Sequence, residues 1–239
     1  MAELTEWPEG DAPKPSAQLA ADAADRLEGA TAQEIVQWAA DTFDDRLCLT
    51  SSMTDAVLIH LASLVQPGLD VLFLDTGYHF AETIGTRDAV ATVYPVNVIS
   101  VTPSRTVPAQ DAEFGPRLYA RDPDFCCRMR KVEPLERALA PYDAWLTGVR
   151  RDETAARRHT RAVEWDARRQ MVKVNPIVGW TQEQVEAYIA EHGILVNPLV
   201  YDGYPSIGCA PCTLRIEPGA DPRSGRWAGT GKSECGIHE

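Results

Sequence analysis

No apolar run in this chain approaches the ~20 residues that a membrane-spanning helix requires, so the sequence offers no membrane anchor. The opening residues, Met1-Ala2-Glu3-Leu4-Thr5-Glu6, lack both the basic and the apolar stretch of a secretory signal, and the chain is read as cytoplasmic. Basic residues are few: 23 Lys and Arg stand against 35 Asp and Glu, a net charge of −12. That balance excludes a nucleic-acid polymer as the main partner, because such a partner needs a broad basic face. There is no internal repeat, no low-complexity tract and no Gly-Lys-Ser/Thr phosphate loop. At 239 residues the chain buries a core large enough to need no disulfide staples. In a reducing compartment its six cysteines are therefore candidates for metal binding or redox chemistry.

What basic charge there is lies together. Residues 105–173 hold 15 of the 23 Lys and Arg but only 11 of the 35 acids, so a cationic centre sits in an acidic chain. Such a centre suits a small, highly anionic ligand. Residues 1–15, rich in Pro, Glu and Gly, are expected to be disordered. Helical patterning starts near Ser16, and Thr31 with Glu34 forms a capping box for a second helix. Strands follow at 47–50, 71–74, 96–101 and 144–147, alternating with helices at 56–65, 80–93 and 126–139. That rhythm predicts an α/β fold, a doubly wound, mostly parallel sheet flanked by helices, with ligands at the C-terminal strand ends. Beyond Arg150 the pattern changes to a hairpin at 163–166 and 171–175, then a helix capped by Thr181 and Gln184 and ended by Gly193. From Asn197 onward Pro and Gly recur, which predicts a loop-rich C-terminal segment and a mobile tail. The expected division is a single domain over 16–220 and a covering loop and tail over 221–239.

The chemistry begins at Cys126-Cys127-Arg128-Met129-Arg130-Lys131, two adjacent thiols running into three cations. A second pair, Cys209-Ala210-Pro211-Cys212, comes 82 residues after Cys127. Structural zinc sites space their ligands two to four apart, whereas iron–sulfur clusters accept four thiolates at varied spacing. Spacing alone leaves zinc, an iron–sulfur cluster or four independent core cysteines open. The Thr50-Ser51-Ser52-Met53-Thr54-Asp55 loop, between strand and helix, could offer backbone N–H groups to an anion or simply cap the helix. The 148–158 segment, with Arg150, Arg151, Arg157 and Arg158, lies at a strand end where guanidinium forks grip phosphate or sulfate. Arg223 and Arg226 form a second cationic patch in the late Gly-rich region. Cys235, between Lys232 and His238 near the terminus, is either an incidental exposed thiol or a nucleophile that neighbouring cations activate.

Taken in order, these elements resemble the assimilatory sulfonucleotide reductases, and within them the iron–sulfur, thioredoxin-dependent adenylyl-sulfate reductases. The resemblance spans 47–238 and rests on several runs: the 51–55 loop, Leu74-Asp75-Thr76-Gly77-Tyr78-His79-Phe80, the Cys126–Lys131 stretch, the 148–158 loop, Gly208-Cys209-Ala210-Pro211-Cys212-Thr213, the 223–227 patch and Glu234-Cys235-Gly236-Ile237-His238. It implies an adenine nucleotide alpha hydrolase-like fold and a [4Fe–4S] cluster on Cys126, Cys127, Cys209 and Cys212. It also implies Cys235 as nucleophile, with Lys131 between cluster and substrate and His238 among the groups around the anion. Ser51 and Ser52 would meet the phosphate and sulfate end, Leu74, Asp75 and Gly77 the adenosine, and Arg150, Arg158 (or Arg157), Arg223 and Arg226 the anionic groups.

The implied reaction reduces adenylyl sulfate to sulfite and AMP in sulfate assimilation toward cysteine, through an S-sulfocysteine. Thioredoxin, or a glutaredoxin-like thiol donor, supplies electrons, since no second cysteine neighbours Cys235. The cysteine quartet favours adenylyl sulfate over its 3′-phosphorylated analogue as substrate. An ATP-pyrophosphatase-like sulfurtransferase or tRNA-thiolating enzyme is the competing reading. It is weakened because Ser52, Met53 and Ala56 replace two glycines and a serine of the pyrophosphate-gripping loop. A zinc-stapled nucleotide-binding module is the third. The sequence says nothing of a homo-oligomer or of a role for Cys48 beyond packing.

Overall fold

A computed structural model describes residues 15–230, 232, 234, 236 and 237. The segment expected to be disordered, except for Pro15, lies outside the described residues, as do Cys235 and His238. The chain begins with α1 (Ala17–Arg26), N-capped by Ser16, and α2 (Ala32–Phe43), where Thr31 and Glu34 form the expected capping box. Such a box satisfies two orphan N–H groups and contributes about 1 kcal/mol. There follow β1 (Leu47–Ser51), α3 (Val57–Val65), β2 (Asp70–Leu74), α4 (Ala81–Val93) and β3 (Asn97–Val101). Then come α5 (Val107–Phe114), α6 (Leu118–Arg121), α7 (Pro123–Cys127), α8 (Glu133–Leu139), β4 (Ala144–Leu146), β5 (Val163–Asp166), β6 (Met171–Val174) and α9 (Gln182–His192).

Six strands form one sheet in the order β3-β2-β1-β4-β6-β5, all parallel except the β5 edge. Side chains alternate between faces, and two cores result. Leu47, Leu49, Val71, Phe73, Ala144 and Leu146 enter the larger core, which α1, α2, α3 and α9 cover. Cys48, Leu72 and Trp145 enter the smaller one, against Leu135 and Leu139 of α8. Strands buried on both faces need continuous apolar runs, which Leu47-Cys48-Leu49 and Ala144-Trp145-Leu146 supply.

The chain leaves β1 in one direction for β2 and β3, then returns to β4 on the other side of β1. The switch point therefore lies between the C-terminal ends of β1 and β4, where α/β sheets bind ligands. The 51–55 loop and the 148–158 segment both leave from it.

Three expectations needed adjustment. The helix predicted over 126–139 starts at Pro123 and is broken into α7 and α8 by a π-helical turn, Arg128–Val132. Pro134 explains part of this, because it has no N–H to give to the i−4 carbonyl and crowds it. The 163–175 hairpin is present, but its second strand extends the parallel sheet beside β4 rather than standing apart. Helices α5 and α6 had not been anticipated between β3 and the cysteines.

Candidate functional site

Asp122 starts the first half of the sulfur site. Its side chain accepts from Phe125 N at 2.9 Å and Pro123 fills the first turn, so α7 begins sharply and carries Cys126 and Cys127 at its end. The second half is a 3₁₀ turn, Ala210–Cys212, tied to the segment after β2 by Ala210 N donating to Tyr78 O at 2.7 Å. Thr213 closes this turn, its hydroxyl donating to Cys209 O at 2.9 Å and accepting from Gly208 N at 3.1 Å. A Cβ on Gly208 would sit 2.4 Å from the Arg226 guanidinium, so no side chain fits there without displacing Arg226.

These halves meet. Cys126, Cys127, Cys209 and Cys212 line one cavity with Tyr78, Tyr119, Arg130, Lys131 and Trp227. Burial pushes the Cys126 thiol up to about 12, with Cys127, Cys209 and Cys212 adding to the rise and Arg130 opposing it. Cys212 is raised to about 11, first by burial and then by Cys209 and Cys127, against the charges of Lys131 and Arg226. Thr76 Oγ1 lies 3.2 Å from Cys209 Sγ. Buried Trp227 Nε1 has no hydrogen-bond acceptor among the described residues, although it borders the cavity. An orphaned indole N–H beside four thiols suits a group that brings acceptors of its own, as a sulfide-containing cluster does. Among the described residues no three His, Cys, Asp or Glu side chains close on a single ion. The sulfur atoms surround a space rather than a point.

Lys131 links this cavity to the 74–79 turn. Its charge acts on Cys212 and also on His79, which stands at the end of the 74–79 turn. In that turn Gly77 has φ +74°, Asp75 Oδ1 accepts from Gly77 N at 3.1 Å, and the Leu74 carbonyl accepts from His79 Nε2 at 2.8 Å.

At the switch point, Ser51 Oγ accepts from Met53 N at 3.1 Å, and Ser52 Oγ lies 3.2 Å from Thr54 Oγ1. Met53 is fully buried with φ +59°, so a side chain fills the left-handed position that a glycine would otherwise take. Asn197, itself fully buried, holds the loop from beneath: its Nδ2 donates to Met53 O and to Thr83 Oγ1, both at 3.1 Å. Asp55 caps α3 through Val57 N at 3.0 Å, and burial raises its carboxyl while the Arg150 charge opposes the rise. Arg150 donates through one terminal nitrogen to Gln182 at 2.8 Å; the other is buried with no acceptor among the described residues. That nitrogen is a ready partner for an anion.

The remaining arginines divide. Arg157 is half-buried and forks onto Glu234 at 2.7 and 3.0 Å, with Glu153 on its other nitrogen. Arg223 also reaches Glu234, at 3.3 Å. Arg158 is exposed and donates to Ala155 O, which keeps it available at the surface. Arg226 stacks on the Trp227 ring at 4.5 Å and donates to Ser206 Oγ and Ile207 O, on the sulfur side. Arg130, Thr76, Trp227, Asn197 and Glu234 had been assigned no individual role from sequence; all but Asn197 lie inside a quoted motif, but only contacts separate them from their neighbours.

A sheet of this order with nucleotide-type loops at its switch point and a sulfur cavity beside it defines a class, and the family model for the phosphoadenosine phosphosulfate reductase domain matches residues 46–215; the chain belongs to that family. It is 61% identical to the adenosine 5′-phosphosulfate reductase of Streptomyces coelicolor, over 92% of this chain and 93% of the relative. It is 57% identical to the protein of that name from Mycolicibacterium smegmatis, over 92% and 94%. Among solved structures, the phosphoadenylyl-sulfate reductase of Candida auris matches with a TM-score of 0.71 and 28% identity, over 83% of this chain and 98% of that one. The Candida glabrata FMN adenylyltransferase, at TM-score 0.57 and 11% identity over 82% and 66%, shares the fold.

Proposed function

We propose that this chain reduces adenylyl sulfate to sulfite and AMP in sulfate assimilation, through a covalent intermediate on Cys235 and with a thioredoxin-type dithiol as reductant. The observation that carries the reading is the convergence of both cysteine pairs on one cavity that Lys131 also lines. Its support from relatives is the name adenosine 5′-phosphosulfate reductase, carried at 61% and 57% identity. The all-thiol donor set and the orphaned Trp227 N–H fit a [4Fe–4S] cluster on Cys126, Cys127, Cys209 and Cys212. Such a cluster would tie α7 to the 209–212 turn and set the local field, leaving electron transfer to thiols.

The chain's own groups then divide the work. Ser51, Ser52 and the buried Arg150 nitrogen hold the phosphate–sulfate end, and the 74–77 turn borders the adenosine. Lys131 brings positive charge to the sulfate, which offsets the repulsion between a thiolate and a polyanion. The Cys235 thiolate attacks the sulfate sulfur, and the S–O bond breaks with its electron pair leaving on AMP. His238, three residues on, is assigned to the same anionic surroundings. A thiolate of the reductant next attacks Cys235 Sγ and releases sulfite, and its second thiol resolves the mixed disulfide. Sulfur gains two electrons and the dithiol becomes a disulfide. In this reading 16–220 form the binding domain and 221–239 the covering loop and reactive tail.

The test is sulfite release from adenylyl sulfate and from its 3′-phosphorylated analogue, with and without thioredoxin. The unphosphorylated substrate is expected to be preferred, and turnover is expected to need the dithiol. Preference for the analogue would favour the second reading, which the match to the Candida auris enzyme supports. Cys235→Ser should lose sulfite formation while keeping its visible absorption and its affinity for AMP. Normal turnover by that variant would sink the nucleophile assignment.

A further inference from the structure

Three side chains of the C-terminal segment meet the body of the protein. Lys232 pairs with Asp124 of α7 and lies 5.7 Å from the Trp227 ring. Glu234 takes a two-pronged hydrogen bond from Arg157, at 2.7 and 3.0 Å, a third contact from Arg223 at 3.3 Å and a fourth from Thr154 Oγ1 at 3.4 Å. Ile237 packs on the smaller core beside Trp145 and Leu139. The flanking neighbours of Cys235 in sequence are thus held by a charge cluster on one side and by apolar contact on the other, while Cys235 itself lies outside the described residues.

The Glu234 contact differs from an ordinary surface ion pair. The side chains of Arg157, Glu234 and Arg223 are 13%, 18% and 16% exposed, so water screens them weakly. The Arg157 fork is bidentate, the geometry in which charge-assisted hydrogen bonds are strongest. Among the described residues two guanidinium groups, Arg157 and Arg223, face two carboxylates, Glu153 and Glu234. While Glu234 is docked, all three nitrogens of Arg157 are on carboxylates, and Arg157 has no fork to spare for a substrate anion. The orphaned Arg150 nitrogen and exposed Arg158 carry no such carboxylate fork.

We propose that Glu234 is a positioning residue: its carboxylate latches the C-terminal segment to the 154–157 turn and to Arg223, and the latch sets the presentation of the adjoining Cys235 thiol to substrate. The inference rests on the reductase reading and reassigns Arg157 and Arg223 from anion ligands to partners of the latch. A carboxylate in this place has one rival role, that of an internal anion competing with substrate for the two arginines, and the two roles predict opposite binding behaviour.

The experiment compares the cluster-loaded wild-type protein with Glu234→Gln, which keeps size and removes charge. Alkylation of Cys235 by iodoacetamide, followed by peptide mass spectrometry, reads the holding of the segment without any turnover. In the variant it should run about tenfold faster, the factor expected when a charge-assisted contact is lost. Affinity for AMP should stay within about twofold, while kcat for sulfite release falls by about tenfold. Tighter AMP binding by about fivefold or more with unchanged alkylation would overturn the latch in favour of the competitor. Unchanged alkylation and unchanged affinity would remove any holding role, and faster alkylation with unchanged kcat would remove the positioning role. Alkylation and AMP binding do not depend on the reaction, so a wild type that forms no sulfite would defeat the reductase reading and leave the latch standing.

Discussion

Two arginines near the candidate site, buried Arg130 and half-buried Arg157, are held in opposite ways. Arg130 is 3% exposed and gives its hydrogen bonds to neutral oxygens: Thr76 O at 2.5 Å, Gln110 Oε1 at 3.0 Å and Arg105 O at 3.4 Å. Its guanidinium also faces the Tyr78 ring at 5.1 Å, and no carboxylate reaches it among the described residues. Arg157 instead meets two carboxylates, Glu153 and Glu234. Burying an unbalanced guanidinium costs several kcal/mol unless something offsets it. Arg130 instead faces the sulfur cavity, where its charge opposes the rise that burial imposes on the Cys126 thiol. The comparison separates a cation that meets no carboxylate among the described residues from one spent on the protein's own carboxylates.

The strongest way to break that comparison is Arg130→Met. The replacement takes the donor from two buried oxygens, Thr76 O and Gln110 Oε1, and from the part-buried Arg105 carbonyl, and removes the positive charge behind the cavity. Stability of the cluster-free protein should fall by about 3 kcal/mol in urea unfolding, and visible absorption after reconstitution should largely disappear. Retained absorption with normal stability would mean that the Arg130 charge serves nothing in the cavity. A smaller effect is expected from Arg157→Gln, which takes the Arg157 charge from Glu153 and leaves Glu234 with Arg223. About 1–2 kcal/mol should be lost, with the visible absorption intact. If absorption fell as it does for Arg130, the two arginines would not be separable.

The sheet was legible in the sequence because each parallel strand is a short apolar run with a loop signal at its end: Leu47-Cys48-Leu49 before Ser51, and Val71 to Leu74 before Asp75-Thr76-Gly77. Capping boxes at Thr31 and Thr181 were legible too, since side chain and backbone meet three residues apart. The fold and family were therefore readable, and the convergence of the four cysteines was implied by resemblance. The π-helical turn was not, because its cause combines Pro134 with packing that lies outside the local sequence. Nor was the division among arginines. Arg157 and Arg158 are adjacent and chemically identical, yet one is forked by Glu234, 77 residues away, and the other faces solvent. Long-range carboxylates decide such cases, and periodicity carries no information about them.

His79 sharpens the comparison as a group that holds its place by staying neutral. Its Nε2–H donates to the Leu74 carbonyl, and it stacks 4.8 Å from the Phe73 ring. Its pKa is lowered from the ordinary 6.5, chiefly by burial, with Lys131 and Arg87 adding to the fall while the Leu74 hydrogen bond and Asp75 oppose it. The sign follows from linkage: as pH drops through 6.5, the unfolded chain takes up a proton that the folded chain refuses, so stability declines until the folded group also titrates. Above that range the histidine costs nothing. His79→Gln retains a donor for the Leu74 carbonyl and cannot titrate, so its urea midpoint should fall less than the wild type's between neutral pH and about 5. The difference should be small beside that of Arg130→Met, and it should vanish at pH 8. Parallel pH profiles for the two proteins would mean that a protonated His79 is tolerated next to Lys131, and that the positive side of the site is less crowded than its contacts imply.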